Sequence, residues 1–422
     1  MGMPSERLVL RPPETGHKIL IAESGLRVPD DPIIPLIEGD GIGPDVVRAA
    51  RSAIDAAVTS AFGGRRRIAW YLVPAGERAM FQYGDMLPEA TLGAIKEYVV
   101  GLKGPLTTPV SGGFRSLNVT LRKALDLYAN VRPVYWIPGV PSPVTHPERL
   151  DIVIFREGTE DVYAGIEWEK GTAEARRMIE ILDKEFHARV RADSGIGVKP
   201  ISETGSKRLV RKAIRYAMDN GRKSVTLVHK GNIMKYTEGA FRTWGYEVAK
   251  IEFRESTIPW DDVVKSHGGK IPDGKIVIKD VIADNMFQQL LLRPEEYDVL
   301  ATTNLNGDYL SDAAAAQIGG LGVAAGGNIG DAHALFEPVH GSAPKYAGMD
   351  KVNPTAEMLA GVMMLEYLGW REAAVRLRSA VKTVVGSKVV TYDLARLMPG
   401  AKEVRTSAFA RAVVDAMDGA GR

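Results

Sequence analysis

Short apolar runs alternate with helical runs along most of the chain. Apolar runs bounded by Gly, Pro or polar residues predict strands at 33–37, 68–73, 99–102, 151–155, 224–228, 275–278 and 297–301. Apolar residues at helical spacing predict helices from Pro44 onward, at 92–98, at 116–127, from about 280 to 293, at 312–318, and through most of the last quarter of the chain. This alternation predicts an α/β fold in which helices cover a parallel sheet.

Two segments do not fit a simple strand or helix. The stretch 188–201 mixes apolar and charged residues and is broken by Gly, so we expect a hairpin or an extended arm there. Residues 320–325 match the relaxed dinucleotide fingerprint G-x-G-x-x-A, but they follow a helical run. Lys345 also stands where that fingerprint requires an acid. We therefore interpret 320–325 as a closely packed turn.

Composition excludes several classes of protein. The chain has 422 residues, which is enough for two domains and a large core. Its formal net charge of +2 gives no general attraction to nucleic acid or to a membrane surface. Cys is absent, which excludes disulfides, thiolate nucleophiles and Cys-based zinc sites. There is no apolar stretch of transmembrane length and no secretory signal pattern, so we expect a cytoplasmic protein.

Carboxylates provide the first candidate chemistry. Asp308 and Asp312 are four residues apart, so on a helix they lie on one face and repel each other. A divalent cation would bind such a pair through its oxygens, whereas the alternative is a pair of acids placed at a helix N-terminus. Asp284 stands near the start of an apolar helix and is a candidate third ligand. Tyr163 and Lys235 are candidate proton carriers, or hydrogen-bonded structural residues.

A basic set provides the second candidate chemistry. Arg122, Arg132 and Arg156 stand beside apolar strands or loops, and Ser116 and Asn118 precede the first of them. Guanidinium groups that converge on one pocket bind a polycarboxylate through paired hydrogen bonds. The alternative for each single Arg is an ion pair at the surface.

Five segments carry a family resemblance: 118–122, 153–168, 229–239, 306–312 and 337–348. They resemble the NADP-dependent isocitrate dehydrogenases of bacteria and archaea, homodimeric members of the metal-dependent β-decarboxylating dehydrogenases. The resemblance runs from about Ile33 to the C-terminus. It implies two α/β domains with a central cleft and a dimer clasp, and a dinucleotide site without a Rossmann fold. It places the large domain at 1–127 and 319–422, the small domain at 128–160 and 207–318, and the clasp at 161–206.

The resemblance assigns roles residue by residue. The substrate-binding residues are Ser116, Asn118, Arg122, Arg132 and Arg156. Tyr163 and Lys235 form the catalytic pair, and Asp308 and Asp312 bind Mg²⁺ or Mn²⁺. Lys235 and the third metal ligand, Asp284, come from the second subunit. The NADP-binding residues are Thr107, His340, Gly341, Ser342, Ala343, Pro344, Lys345, Tyr346, Asn353, Tyr392 and Arg396.

The implied reaction is the oxidative decarboxylation of isocitrate to 2-oxoglutarate and CO₂ with reduction of NADP⁺, a step of the tricarboxylic acid cycle. Tyr163 is the expected proton donor after CO₂ leaves, and either Lys235 or Asp308 accepts the hydroxyl proton. A 3-isopropylmalate or homoisocitrate dehydrogenase is the nearest alternative. Ser116 and Asn118 disfavour the former, because an isopropyl group would leave both polar groups unpaired. A non-catalytic regulatory subunit is another alternative, which the presence of the complete catalytic set disfavours.

Overall fold

A computed structural model describes the backbone of residues 10–23, 25–107 and 116–419. The strands are β1 Leu20–Ala22, β2 Gly25–Arg27, β3 Ile33–Ile37, β4 Ala69–Leu72, β5 Val100–Lys103, β6 Ala129–Tyr135, β7 Asp151–Glu157, β8 Glu167–Trp168, β9 Ile196–Gly197, β10 Ser224–His229, β11 Thr257–Pro259, β12 Ile276–Ile282, β13 Val299–Thr302, β14 Ala325–Ile329, β15 Ala334–Pro338, β16 Val389–Val390 and β17 Lys402–Glu403. The α-helices are α1 Gly43–Phe62, α2 Glu77–Tyr83, α3 Glu89–Tyr98, α4 Leu117–Ala124, α5 Ala173–Phe186, α6 Glu203–Asp219, α7 Glu238–Glu252, α8 Trp260–His267, α9 Ala283–Leu292, α10 Asn304–Gln317, α11 Thr355–Tyr367, α12 Arg371–Gly386, α13 Tyr392–Ala395 and α14 Thr406–Gly419. Short 3₁₀ helices include one at Asp161–Ala164 and one at Pro344–Tyr346.

One sheet of eleven strands runs through the molecule in the order β11-β12-β10-β13-β7-β6-β14-β15-β5-β3-β4. The outer strands pair in parallel on both sides, as the sequence pattern predicts. The three central pairs, β7–β6, β6–β14 and β14–β15, are antiparallel. The prediction of an entirely parallel sheet is therefore wrong at the centre. Two parallel α/β units meet there through an antiparallel junction.

Several predicted boundaries are also wrong. Strand β6 was not predicted, because Pro133 and the charged Arg132 interrupt its apolar run. Strands β14 and β15 were not predicted, because the Gly-rich sequence of β14 is atypical of a strand and β15 lies in the last part of the chain, where mainly helix is expected. Strand β12 continues to Ile282, so the helix predicted from about residue 280 begins at Ala283. Helix α4 is shorter than predicted and ends at Ala124.

The largest hydrophobic core packs α1, α11, α12 and α14 against the strands and extends to α9 and α10. A second core lies where α6 and α7 cover β10, β13 and β7. Each helix contributes an apolar face, as α1 shows with its buried Val46, Ala50, Ile54 and Ala57. Among the described residues, no helix is long and apolar enough to cross a membrane.

Candidate active site

Strand register places a row of polar side chains across the centre of the sheet. Asn130 of β6 lies opposite Arg156 of β7 and opposite Asn328 of β14. Its amide nitrogen donates to Asn328 Oδ1 at 2.7 Å, and its Oδ1 accepts from Arg132 Nε at 2.9 Å. Arg122 Nε donates to the same Asn328 Oδ1 at 2.9 Å. Two asparagines therefore fix the orientation of two guanidinium groups that helix α4 and strand β6 contribute.

Three predicted substrate ligands, Arg122, Arg132 and Arg156, are buried together. Burial lowers the pKa of Arg132, and the positive charge of Arg122 lowers it further. Burial and the neighbouring guanidinium groups lower the pKa of Arg156 to about 9. Each pKa is lowered because the positive charge has been removed from water and nearby negative charges compensate for this only in part. The cluster is thus built to receive further negative charge.

Asp308 connects this cluster to the predicted proton donor. Arg156 Nη1 and the Tyr163 hydroxyl each donate a short hydrogen bond to its carboxylate. Burial alone would raise the pKa of Asp308, but Arg156, Tyr163 and Arg132 outweigh burial and the pKa is lowered. Burial and the hydrogen bond to Asp308 raise the pKa of Tyr163 to about 12. Tyr163 therefore stays protonated at neutral pH and can act as an acid.

The start of helix α10 is fixed by the same arginine. Arg156 Nε donates to the backbone oxygen of Asn304 at 2.9 Å and to its Oδ1 at 2.8 Å. Arg156 also lies over the ring of Tyr163, 4.9 Å from the ring centroid. A single buried side chain thus positions both the helix that carries Asp308 and the tyrosine that bonds to it.

Asp308 and Asp312 have the donor set that a hard divalent cation prefers. Both are on α10 one turn apart, and Asp312 is half-exposed with Arg132 Nη1 3.3 Å from its Oδ1. Burial raises the pKa of Asp312, as does the negative charge of Asp308, while Arg132 opposes the rise. A cation would relieve this repulsion. Within residues 10–23, 25–107 and 116–419, no group of three His, Asp or Glu could hold a metal ion by itself.

Asp284 and Lys235 lie apart from this cluster within the chain. Asp284 is exposed at the start of α9 and forms an ion pair with Lys230, which lowers its pKa. Lys235 is exposed on the loop between β10 and α7. Its neighbours Ile233 and Tyr236 are 69% and 91% exposed, so this loop presents two large apolar side chains to solvent. The structure therefore joins Tyr163, Asp308 and Asp312 but leaves Asp284 and Lys235 on the surface.

The ends of the Lys235 loop are nevertheless held firmly. His229 Nδ1 accepts from the backbone amide of Gly231 at 3.0 Å, which leaves the proton on Nε2 for Asp280 at 3.0 Å. The buried carboxylate of Glu238 accepts from the backbone amide of Lys230 at 2.9 Å. These hydrogen bonds fix the backbone at the start of the loop that carries Lys235.

The predicted substrate helix α4 carries Arg122 of the buried arginine cluster. Ser116 occupies its N-cap position, and Asn118 lies in its first turn. The amide oxygen of Asn118 is buried and has no hydrogen-bond partner among the described residues. A buried amide oxygen without a partner is unfavourable unless a ligand satisfies it. Asn118 therefore fits the role predicted for it.

Residues predicted for the cofactor meet where the loop after β5 touches the loop after β15. Thr107 Oγ1 and Ser342 Oγ are 2.7 Å apart, and the backbone amide of Thr107 donates to Asp40 at 2.8 Å. A Cβ added to Gly41 would lie 2.0 Å from the Ser342 backbone oxygen, so only Gly fits this contact. The buried Nε2 atom of His340 has no hydrogen-bond partner within the described part of the chain. Such an atom fits a bound polar group.

The remaining cofactor candidates include a cluster of exposed cations and half-buried phenols. The rings of Tyr346 and Tyr392 are 5.7 Å apart, with Lys345 over the first and Arg396 beside the second. Lys351 lies 4.6 Å from the centroid of the Tyr392 ring. Asn353 Nδ2 donates to Asp393, and that pair lies against Gly322 of the turn predicted at 320–325. The backbone between His340 and Lys345 includes Gly341, Ala343 and Pro344, and a short 3₁₀ helix begins at Pro344.

Sequence reasoning missed a buried ion pair at the ends of β5 and β15. Lys103 Nζ donates to Glu337, and both side chains are less than a tenth exposed. Burial would raise the pKa of Glu337, but Lys103 and Arg122 lower it to about 2. Lys103 lies at the end of the strand predicted at 99–102, which was the available signal, whereas Glu337 lies on β15, a strand that was not predicted. No comparable signal marked Asn130, Asn328 or Lys351.

This ion pair gives a stability prediction. Glu337→Gln should destabilise the fold by about 3–5 kcal/mol at pH 7, because it leaves the Lys103 ammonium buried without a counter-charge. The folded pKa of Glu337, about 2, lies below the ordinary carboxyl value of 4.5. Its contribution should therefore be complete above pH 4.5 and be lost as the pH falls toward 2. Thermal midpoints across pH test this, and Lys103→Met combined with Glu337→Leu should recover part of the loss, because the buried Arg122 still loses its contact with Glu337. A Glu337→Gln midpoint equal to wild type would contradict the prediction.

Comparison with known proteins identifies the family of the chain. The sequence model of the isocitrate/isopropylmalate dehydrogenase family matches residues 33–413, and the chain belongs to that family. It is 63% identical to an Archaeoglobus fulgidus protein named isocitrate dehydrogenase [NADP], with 96% of this chain and 98% of that protein covered. A Haloferax volcanii protein of the same name is 57% identical, over 96% of this chain and 97% of that protein.

Solved structures confirm the fold class. The crystal structure of isocitrate dehydrogenase from Methylococcus capsulatus matches with a TM-score of 0.76 at 40% identity, covering 92% of this chain and 99% of that one. A Thermus thermophilus structure matches with a TM-score of 0.76 at 36% identity, covering 97% of this chain and 72% of that one. The predicted fold, that of the isocitrate and isopropylmalate dehydrogenases, is therefore confirmed.

Proposed function

We propose that the chain is an NADP-dependent isocitrate dehydrogenase that releases CO₂ and forms 2-oxoglutarate. The observation that carries this proposal is the buried cluster of Arg122, Arg132 and Arg156 around Asp308. Isocitrate bears three carboxylates, and the buried guanidinium groups of Arg132 and Arg156, whose pKa values are lowered, gain from binding such a substrate. The names of relatives at 55–63% identity support the same activity. We also propose that the enzyme works in the cytoplasm.

The side chains divide the chemical work. The arginines orient the substrate carboxylates, and Asn118 and Ser116 provide polar contacts for the γ-carboxylate. A Mg²⁺ or Mn²⁺ ion held by Asp308 and Asp312 would acidify the substrate hydroxyl and stabilise negative charge during decarboxylation. Tyr163, protonated at neutral pH, donates to the carbon that CO₂ leaves. Lys345, Tyr346, Tyr392 and Arg396 bind the 2′-phosphate of NADP, because a dianion requires cations and hydroxyl donors.

The site is completed by a second subunit. Lys235 and Asp284 are exposed in the single chain, and the loop of Lys235 presents Ile233 and Tyr236 to solvent. A homodimer would bury these apolar side chains and bring Lys235 and Asp284 to the partner's metal site.

Mixing inactive Lys235→Met with inactive Asp308→Asn chains under exchange conditions should generate dimers in which one of the two sites is intact. Absence of recovered activity in verified mixed dimers would contradict shared sites.

Domain organisation is proposed from the same family. The large domain comprises 1–127 and 319–422, the small domain 128–160 and 207–318, and the clasp 161–206. The antiparallel centre of the sheet lies where the two domains join, and the active-site row crosses it. Closure of the cleft about this junction would exclude water during turnover.

A substrate panel tests the proposed activity. The purified chain with Mg²⁺ or Mn²⁺ should reduce NADP⁺ with isocitrate, and much less with homoisocitrate or 3-isopropylmalate, which lack the matching γ-carboxylate geometry. Preference for 3-isopropylmalate would establish the sister activity. Failure to turn over any of the three acids while binding them would establish the regulatory-subunit alternative.

A further inference from the structure

A cluster of charged side chains next to the segments that carry Tyr163 and Asp308 centres on Lys199. This lysine follows strand β9 and is about one-fifth exposed. Its ammonium forms a short hydrogen bond with Asp161 and lies 3.0 Å from Glu238 Oε1. Both carboxylates are almost completely buried. Within the described part of the chain, Lys199 is the only cation that pairs with either of them.

Asp161 connects the Tyr163 turn to helix α10. Its Oδ1 accepts from the backbone amide of Val162 at 2.7 Å, and its Oδ2 accepts from the backbone amide of Leu305 at 2.9 Å. The Leu305 amide is one of the N-terminal donors that a helix cannot satisfy internally, so Asp161 caps the helix that carries Asp308. The φ of Asp161 is +70°, a strained value for a residue other than Gly. Such strain persists only where surrounding contacts hold it.

Glu238 connects helix α10 to the Lys235 loop. Its Oε1 accepts from Thr303 Oγ1 at 2.8 Å, at the N-cap position of α10. Its Oε2 accepts from Asn306 Nδ2 at 2.8 Å and from the backbone amide of Lys230 at 2.9 Å. The two carboxylates therefore hold three separate segments, which carry Tyr163, Asp308 and Lys235 respectively.

We propose that Lys199 is a positioning residue, whose ammonium holds Asp161 and Glu238 together and thereby fixes the Tyr163 turn, the metal-binding helix and the Lys235 loop in one arrangement. The expected effect on catalysis rests on the proposed function. The physical reason for the positioning role is that the positive charge of Lys199 attracts both carboxylates. Without the ammonium, two buried carboxylates at the same helix end repel each other, and a buried pair that loses one partner is strongly destabilised. The segments they hold would then separate.

Lys199→Met tests the proposal, because it keeps the length of the side chain and removes the charge. We expect kcat with isocitrate to fall on the order of 100-fold, as is typical when catalytic groups are misplaced by about an ångström. KM should change less than kcat, since Lys199 does not contact the arginine cluster. Lys199→Arg, which keeps a cation, should recover most of the lost kcat. Equal losses in both variants would overturn the charge-based account.

Lys207→Met is the matched control. Lys207 also bridges two carboxylates, Glu203 at 2.6 Å and Glu247 at 2.8 Å, but both of these are on the solvent-exposed surface of helices α6 and α7. The expected kcat is that of wild type. If Lys207→Met lowers kcat as much as Lys199→Met, the effect is general loss of stability, and the proposal fails.

Amide hydrogen exchange provides a measurement that does not depend on activity. In Lys199→Met, exchange should rise together in peptides that contain the amides of Val162, Leu305 and Lys230, and it should not rise in Lys207→Met. An increase confined to residues around 199 would overturn the proposal. If the wild-type enzyme did not use isocitrate, the proposed function would fail, while the exchange pattern would still decide the role of Lys199. Should Lys199→Met not fold, Lys199→Gln allows the same measurements.

Discussion

Tyr163→Phe should lower kcat for isocitrate by about 10²–10⁴-fold, which is the usual contribution of one positioned general acid. The substitution removes the hydroxyl that donates to Asp308 and keeps the ring that lies against Arg156. The arginine cluster is unchanged, so KM should stay close to wild type. Because the pKa of Tyr163 is raised to about 12, the wild-type hydroxyl carries its proton across the working pH range.

The order of steps makes this prediction sharper. Hydride transfer precedes the protonation in which Tyr163 acts, so rapid mixing of Tyr163→Phe with isocitrate, NADP⁺ and Mg²⁺ should give a burst of NADPH before slow turnover. Tyr128→Phe is the matched control, since Tyr128 also donates to an aspartate, Asp331 at 2.6 Å, away from the arginine cluster. A Tyr163→Phe enzyme with kcat within tenfold of wild type, or with no burst, would assign the proton to another group.

The sequence pattern identified most strands of the parallel wings because each contains a short apolar run, but it missed the three-residue edge strand β11. Strands β3, β7, β10 and β13 are buried on both faces and read as short apolar runs. The antiparallel centre was missed because it carries the site. Strand β6 contains Asn130 and Arg132, and β14 contains Gly326, Gly327 and Asn328, so neither resembles a core strand. The polar and glycine residues of the site interrupt the apolar pattern by which a core strand is predicted from sequence.

The candidate site was predicted through motifs, and its supporting groups were not. Asp308, Arg156 and Tyr163 lie in continuous segments that resemble the family, and the structure brings them into contact. Asn130 and Asn328 are 198 positions apart and meet only because β6 pairs with β14. Lys199 stands in a stretch that reads as an irregular arm. Long-range hydrogen bonds of this kind depend on strand order, which local sequence does not encode.

Cofactor choice is expected to depend on Lys345 and Tyr346. The double variant Lys345→Asp, Tyr346→Ile should lower kcat/KM for NADP⁺ by about 10²–10⁴-fold, because each charged hydrogen bond to the 2′-phosphate contributes about 1.5–3 kcal/mol. An acid at 345 accepts hydrogen bonds from the free ribose hydroxyls of NAD⁺, so kcat/KM for NAD⁺ should rise. Steady-state kinetics with both cofactors at saturating isocitrate measure the ratio.

A control must separate the loss of contacts with the 2′-phosphate from the effect of the change in net charge. Lys265→Asp makes the same change in net charge on helix α8, beside the edge strand β11, where Lys265 is 73% exposed and pairs only with Asp261 among the described residues. It should leave the cofactor ratio unchanged. Tyr392, Arg396 and Lys351 remain in the double variant, so some NADP⁺ activity should persist and should weaken with added salt. An unaltered ratio in the double variant would mean that these three residues, without Lys345 and Tyr346, determine recognition of the 2′-phosphate.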